Sequence, residues 1–211
     1  MSTQDRILDT ALTLFNNKGI ASVSMRAVAA GARMSVGNLT YHFPNRDSLV
    51  QGLLNRLIKE LNAKIEETPQ PKLWLELIWE ALLNSYQIQQ RYQFIMLDLV
   101  HMLRKYPTIL EQFRQNYDHR RQEYSFILQA LVQVGELMSE PESGHYDRYI
   151  LPQLYCISDF WLSEAALLYK GPEDEKAAYY ARMCMALLYP YLTEKGRRSW
   201  RELFKEPTGS L

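Results

Sequence analysis

SMRAVAAGARMSVGNLTYHFPNR, residues 24–46, reads as two short helices joined by a tight turn. Ser24 is placed to N-cap the first, its hydroxyl accepting from a free amide of the opening turn. Val28, Ala29 and Ala32 supply a small apolar face at helical spacing. Gly31-Ala32-Arg33-Met34 breaks the pattern, and Ser35 caps a second helix of about two turns that ends at Phe43-Pro44. Leu39 and Phe43 lie four apart and face inward. Val36, Gly37, Asn38, Thr40 and Tyr41 are left pointing outward. Such a face is poor packing surface. It suits a recognition helix whose N-terminal residues enter the major groove of duplex DNA. The competing reading is an ordinary helical hairpin with a polar outside.

The flanking chain is helical throughout. Upstream, Ile7, Leu8, Ala11, Leu12, Leu14 and Phe15 predict an amphipathic helix over 4–17, stopped at Lys18-Gly19. Downstream, Asn45 caps a longer helix through Leu49, Leu53, Leu57, Leu61 and Ile65, and Pro69 and Pro71 mark a domain boundary. Further helices are expected over 72–90, 92–106, 107–135, 146–169 and 174–192, with a last short one from Lys195. The stretch 92–106 is apolar nearly all round and is expected to be buried. The fold class is therefore all-α. An N-terminal helix-turn-helix domain (1–50) is joined by a linking helix (about 45–66) to a larger helical domain (67–211).

Composition narrows the function. The 211 residues have 47% hydrophobic content and no net charge, which excludes a disordered chain. Charge is unevenly placed: residues 1–60 hold seven Lys/Arg against four acids, the remainder 17 against 20. A basic module on an acidic body suits a DNA reader, because phosphate contacts supply most non-specific affinity. No apolar run reaches the length of a membrane span and no signal-peptide core precedes the first helix, so a cytoplasmic protein without membrane contact is expected. Cys156 and Cys184 are expected as buried free thiols at no metal-like spacing. The four histidines are too dispersed for a metal cluster. No nucleophile elbow, phosphate loop or metalloprotease helix is present, so neither catalysis nor a cofactor is expected.

Residues 4–60 resemble the DNA-binding domain of the tetracycline-repressor (TetR/AcrR) family. The resemblance is carried by Leu8, Ala11, Phe15, Gly19, Ser24, Arg26, Val28, Ala29, Ala32, Ser35, Gly37, Leu39, His42, Phe43, Arg46 and Leu49. It implies a homodimeric regulator that binds a palindromic double-stranded operator and is released by a small-molecule effector. The chain departs from the family pattern at Thr40, where a backbone-contacting Tyr is common, at Arg33 in place of a turn Gly, and at Ala27 in place of an acid.

Chemistry and resemblance together assign Ser24, Arg26, Ser35, Tyr41 and Arg46 to phosphates. Val36, Gly37, Asn38 and Thr40 are assigned to base edges, with Asn38 suited to adenine and Val36 or Thr40 to a thymine methyl. His42 either donates to a phosphate or caps its helix. For an effector, the informative residues are polar ones on apolar faces: Asp98, His101 and Arg120. One reading pairs Asp98 with Arg120 inside the core. The other places Arg120 and His101 in a pocket lined by Trp79, Tyr86, Tyr117, Tyr124 and Phe160, where they orient an anionic or polar molecule. The helices over 146–169 and 174–192 carry more apolar surface than one core needs. Leu154, Ile157, Trp161, Ala165, Leu168, Ala181, Met185 and Leu188 are expected to form a two-fold four-helix interface. Two other functions remain open: an effector-independent DNA-binding protein, and a helical-bundle interaction protein that does not read DNA.

Overall fold

The structure is a computed structural model that describes residues 2–66 and 74–205, with the side chains of 63–66 left aside. The expected boundary at Pro69 and Pro71 lies outside the described residues. Eleven α-helices run in order among those described: α1 (Thr3–Lys18), α2 (Met25–Gly31), α3 (Val36–His42), α4 (Arg46–Glu66), α5 (Trp74–Arg91), α6 (Gln93–Met96), α7 (Leu99–Lys105), α8 (Pro107–Gln133), α9 (Leu151–Leu168), α10 (Lys176–Met185) and α11 (Glu194–Phe204). A π-helical turn, Tyr146–Ile150, leads into α9, and a 3₁₀ segment, Ala186–Tyr191, follows α10. A single antiparallel bridge, Leu137 to Leu192, is the one β-type pairing among the described residues.

The chain divides by packing into two compact units. The first comprises Met1–Ala63 and Ile88–Leu110, the second Lys64–Gln87 and Glu111–Leu211. In the first, α1 opens with a capping box between Ser2 and Asp5 and buries Ile7, Leu8, Ala11 and Phe15. Gly19, at φ 73°, takes the backbone turn that ends α1, a conformation open to Gly without steric cost. Asn45 Oδ1 accepts from the Ser48 amide at 2.9 Å and starts α4, which buries Leu49, Val50, Leu53 and Leu54. Gly52 lets α4 lie close: a Cβ there would stand 3.0 Å from both Leu8 and Phe43. Residues 88–110 join this unit through named contacts. Phe94 packs on Phe15 at 5.3 Å between ring centroids, and the Asn16 amide donates to the Arg91 carbonyl at 2.8 Å.

The expected single helix over 92–106 is broken at Leu97-Asp98 into α6 and α7. Leu97, Asp98, Val100 and His101 are exposed, so the stretch is not buried all round. Hydropathy alone predicts one buried rod, whereas the chain folds as two short helices with one face outside.

In the second unit Tyr86, Leu131, Leu151, Trp161, Ala181, Cys184 and Met185 are almost completely buried. Tyr86 stacks on Trp161 at 4.9 Å, and Trp161 tilts against Tyr180 at 5.3 Å. Pro190, which lacks an amide donor, falls in the tighter 3₁₀ turn where α10 would otherwise continue to Leu192. Thr193 caps α11 by accepting from Gly196 N at 3.1 Å, and its hydroxyl donates to the Gly135 carbonyl at 2.6 Å. Cys184 is buried as expected, whereas Cys156 is exposed.

Candidate nucleic-acid interface and effector site

The two-helix reading of residues 24–46 is realised in α2 and α3. Ser24 Oγ accepts from Ala27 N and Ser35 Oγ from Asn38 N, both at 3.2 Å, so both serines first serve as helix caps. Their hydroxyl hydrogens remain for an acceptor outside the chain. Val28, Ala29, Ala32, Leu39 and Phe43 are buried and hold the pair onto α1 and α4. Gly31 lets α2 approach α1: a Cβ there would lie 2.7 Å from the Thr10 methyl. Arg33 stands in the turn at φ 55°, the left-handed region that costs a non-Gly residue roughly 1–2 kcal/mol.

Among the described residues nothing packs on the outer face of α3. Tyr41 is 83% exposed and Val36 39%. Gly37 opens onto free space, with no atom within 4 Å of where a Cβ would sit. Asn38 is exposed, and among the described residues no hydrogen bond occupies its side-chain amide. Thr40 is less free than its neighbours, because its hydroxyl donates to the Gly37 carbonyl at 3.1 Å. His42 is half-buried and meets the Tyr41 ring edge-on at 5.2 Å. Arg26 is exposed. Arg46 spends Nη1 on the Ile20 and Ala21 carbonyls at 3.0 and 3.1 Å, so it braces the turn after α1 as well as facing solvent.

The residues expected at an effector separate into groups. Asp98 and His101 belong to the first unit and are exposed on a cleft of about 530 Å³, with Phe15, Arg46 and Lys105 among its walls. Exposed Asp98 is therefore not the buried half of a core ion pair. Trp79 packs edge-on to Phe204 of α11 at 5.0 Å, and Phe160 is 43% exposed. Tyr117, Arg120 and Tyr124 lie half-buried along α8, and Tyr86, buried on α5, is near enough to Tyr124 to feel it. Near them lie two residues the sequence reading passed over, Tyr155 and Asp159. Tyr117 and Tyr124 lie 4.6 and 6.1 Å from the Tyr155 ring. The Tyr155 side chain is 6% exposed, and its buried hydroxyl has no hydrogen-bond partner. Burial pushes the Asp159 carboxyl up to about 6, with the Arg120 charge pulling back against that rise. Burial likewise pushes Tyr124 up to about 12. The signal for Asp159 was available: it is the lone charge in the run Leu151–Leu162.

The expected interface residues are mostly spent within the chain. Leu154, Trp161, Ala165, Ala181, Met185 and Leu188 are buried in its own core, and Ile157 is half-buried. Only Leu168 of that set is well exposed, at 65%. The outward apolar side chains are instead Phe160, Leu167 and Leu168 on α9 with Tyr179 and Met183 on α10. Both helices carry two apolar stripes. Periodicity gives the spacing of each stripe but not which one turns inward.

A compact helix-turn-helix with an unpacked reading face, followed by a larger helical unit, defines a class of DNA-binding regulator. The chain belongs to the TetR family of bacterial transcriptional regulators. A family profile described as bacterial regulatory proteins, tetR family, matches residues 7–53, and one described as bacterial transcriptional repressor matches residues 56–200. The protein is thus a DNA-binding regulator of the repressor type, a class without enzymatic activity. A probable HTH-type transcriptional regulator of Bacillus subtilis, YttP, is 23% identical over 148 residues, 66% of this chain and 68% of its own length. The repressor KstR2 of Rhodococcus jostii is 30% identical over 79 residues, 37% of this chain and 39% of its own length. Among solved structures, a TetR-family regulator from Marinobacter aquaeolei VT8 superposes with a TM-score of 0.82 at 22% identity, covering 97% of this chain and 98% of its own. Among the described residues no helix is long and apolar enough to cross a membrane, and no group of three His, Cys, Asp or Glu side chains is placed to hold a metal.

Proposed function

We propose that the protein is a homodimeric repressor that reads a palindromic operator through α3 and is released by a small molecule bound in its second unit. The outward face of α3 carries this reading: Val36, Gly37, Asn38 and Tyr41 are exposed and have no structural duty there. Asn38 has the amide geometry to pair both hydrogen-bonding edges of an adenine, and Gly37 admits the DNA backbone closely. Ser24, Arg26, Ser35, Tyr41 and His42 hold register on phosphates, with Arg33 in the turn as a further cation. Arg46 contributes through the nitrogens not bound to Ile20 and Ala21. Thr40 offers its methyl more readily than its hydroxyl, which is already engaged.

One α3 reads too few base pairs for useful specificity, so two half-sites and two copies are needed. The second copy is assigned to the apolar face of α9 and α10 formed by Phe160, Leu167, Leu168, Tyr179 and Met183. A patch of this kind on a monomer is a liability, and burying it against its own two-fold image removes it from water. An effector then acts by favouring one spacing of the two reading heads over the other.

The test is an Asn38→Ala variant on an operator recovered by selection. Affinity is expected to fall by about tenfold or more, with discrimination lost at one position per half-site, since a bidentate base contact is worth roughly 1–3 kcal/mol. An unchanged affinity and an unchanged sequence preference would move the reading surface off α3.

A further inference from the structure

Among the described residues, the second unit holds one buried hydroxyl without a partner, that of Tyr155, and two half-buried charged groups near it, Arg120 and Asp159. Arg120 is half-buried, and the hydrogen bond it makes is a 3.3 Å contact from Nε to the Asn116 carbonyl one turn back on α8. No ion pair joins its guanidinium to a carboxylate among the described residues. Asp159, across from it on α9, is near enough to feel the Arg120 charge but makes no contact with it. The Tyr155 hydroxyl is buried and unpartnered, and it feels the same charge. The rings of Tyr117 and Tyr124 lie against that of Tyr155.

We infer that this cluster is the seat of the effector and that the effector is an organic anion with an aromatic or aliphatic body, its charge received by Arg120 and the Tyr155 hydroxyl. The inference rests on the reading that the second unit binds an effector, and adds its chemical class. A guanidinium cannot shed its charge by losing a proton, so half-buried and without a carboxylate partner among the described residues it favours an anion beside it. Asp159 can be relieved in that way. Its carboxyl takes up a proton readily, and a second negative charge beside it favours that uptake. A cationic ligand would have to sit beside Arg120, which disfavours it.

Proton linkage follows. Arg121 and Glu123 act from α8 on the margin of the cluster, at Tyr155 and Tyr124 respectively. Burial holds the hydroxyls of Tyr86, Tyr124 and Tyr155 and the Cys184 thiol in their neutral forms. Asp159, at about 6, is therefore the group of this cluster that titrates near neutrality. Anion binding draws one proton onto it, so affinity for an anion falls as pH rises above about 6, by up to about tenfold per unit.

Two fluorescent dyes of like body test this on the full chain: anilinonaphthalene sulfonate, whose charge does not titrate in this range, and neutral phenylnaphthylamine. The anionic dye is expected to bind at least about tenfold more tightly at pH 6, and its advantage to shrink toward pH 8. Arg120→Met removes that advantage and leaves the neutral dye unaffected. Asp159→Asn keeps Arg120 and flattens the pH profile, holding the tighter affinity at pH 8, a gain that a misfolded variant would not show. Equal binding of the two dyes, or anionic binding that Arg120→Met leaves untouched, overturns the charge assignment while an effector site stands. Binding of neither dye overturns both.

Discussion

Asp159 shows how one side chain carries a pH response into stability. In the unfolded chain its carboxyl titrates near its ordinary value of 3.8, and in the folded chain burial holds it at about 6. Between these values the folded state binds more protons than the unfolded one, so rising pH costs stability across about pH 4–6 and no more above it. Asp159→Asn removes that cost. The variant is expected to match the parent near pH 4 and exceed it at pH 7, by up to about 3 kcal/mol, the equivalent of roughly two pKa units. Urea unfolding at the two pH values measures the difference, and equal gains at both would assign the effect to packing. Arg33 is the opposite case, a residue whose backbone rather than side chain is under load at φ 55°. In place of a Gly it adds strain to the turn, and with it a cation beside the reading helix.

At the scale of elements, the structure is most regular where caps and spacing act together. Ser2, Ser24, Ser35 and Thr193 each cap the helix that follows by accepting a backbone amide. Ser24, Ser35 and Asn45 made α2, α3 and α4 legible in the sequence, and apolar spacing alone made α1 so, since a cap and an apolar face are both local. The break at Leu97-Asp98 and the inward turn of Leu154, Trp161 and Met185 were not legible. They depend on which neighbour covers which stripe, and that is set by distant chain. Of the residues expected at an effector, Arg120 stood out because its charge interrupts an apolar stripe, while Tyr86, Tyr117 and Tyr124 were named as aromatic lining. Asp159 sends the same signal and was passed over among stronger-looking interruptions.

The end of the second unit is locked in a way that only packing reveals. Glu136 is 2% exposed, with Oε1 accepting from the Ser199 hydroxyl at 2.8 Å, and its carbonyl accepts from Thr193 N at 3.0 Å. Gly196 lies so close that a Cβ would stand 2.0 Å from that carbonyl oxygen. Since a backbone oxygen cannot rotate away, Gly196→Ala is expected to cost about 2–4 kcal/mol and loosen α11. A thermal unfolding curve checks this, and a melting temperature unchanged from the parent would mean that α11 docks differently.

For the whole molecule, the question is what covers α9 and α10. Leu167 is 82% exposed and Leu168 65%, on the same helix as exposed Phe160, and Tyr179 and Met183 of the next helix are exposed too. Burying a Leu side chain is worth about 1.5–3 kcal/mol, so a two-fold contact that counts each residue twice has ample drive for a dimer. Leu167→Glu places a charge in that contact. Sedimentation equilibrium is expected to report a dimer for the parent and a folded monomer for the variant. An unchanged dimer would place the interface elsewhere.

The central claim is that this chain reads a defined DNA sequence as a pair. Selection from a randomised duplex pool at moderate salt, followed by sequencing, tests it most directly. An enriched palindrome is expected, with half-sites about one helical turn or a multiple of it apart, as two copies of α3 on one face require. Weak binding without sequence preference, lost as salt is raised, would contradict it.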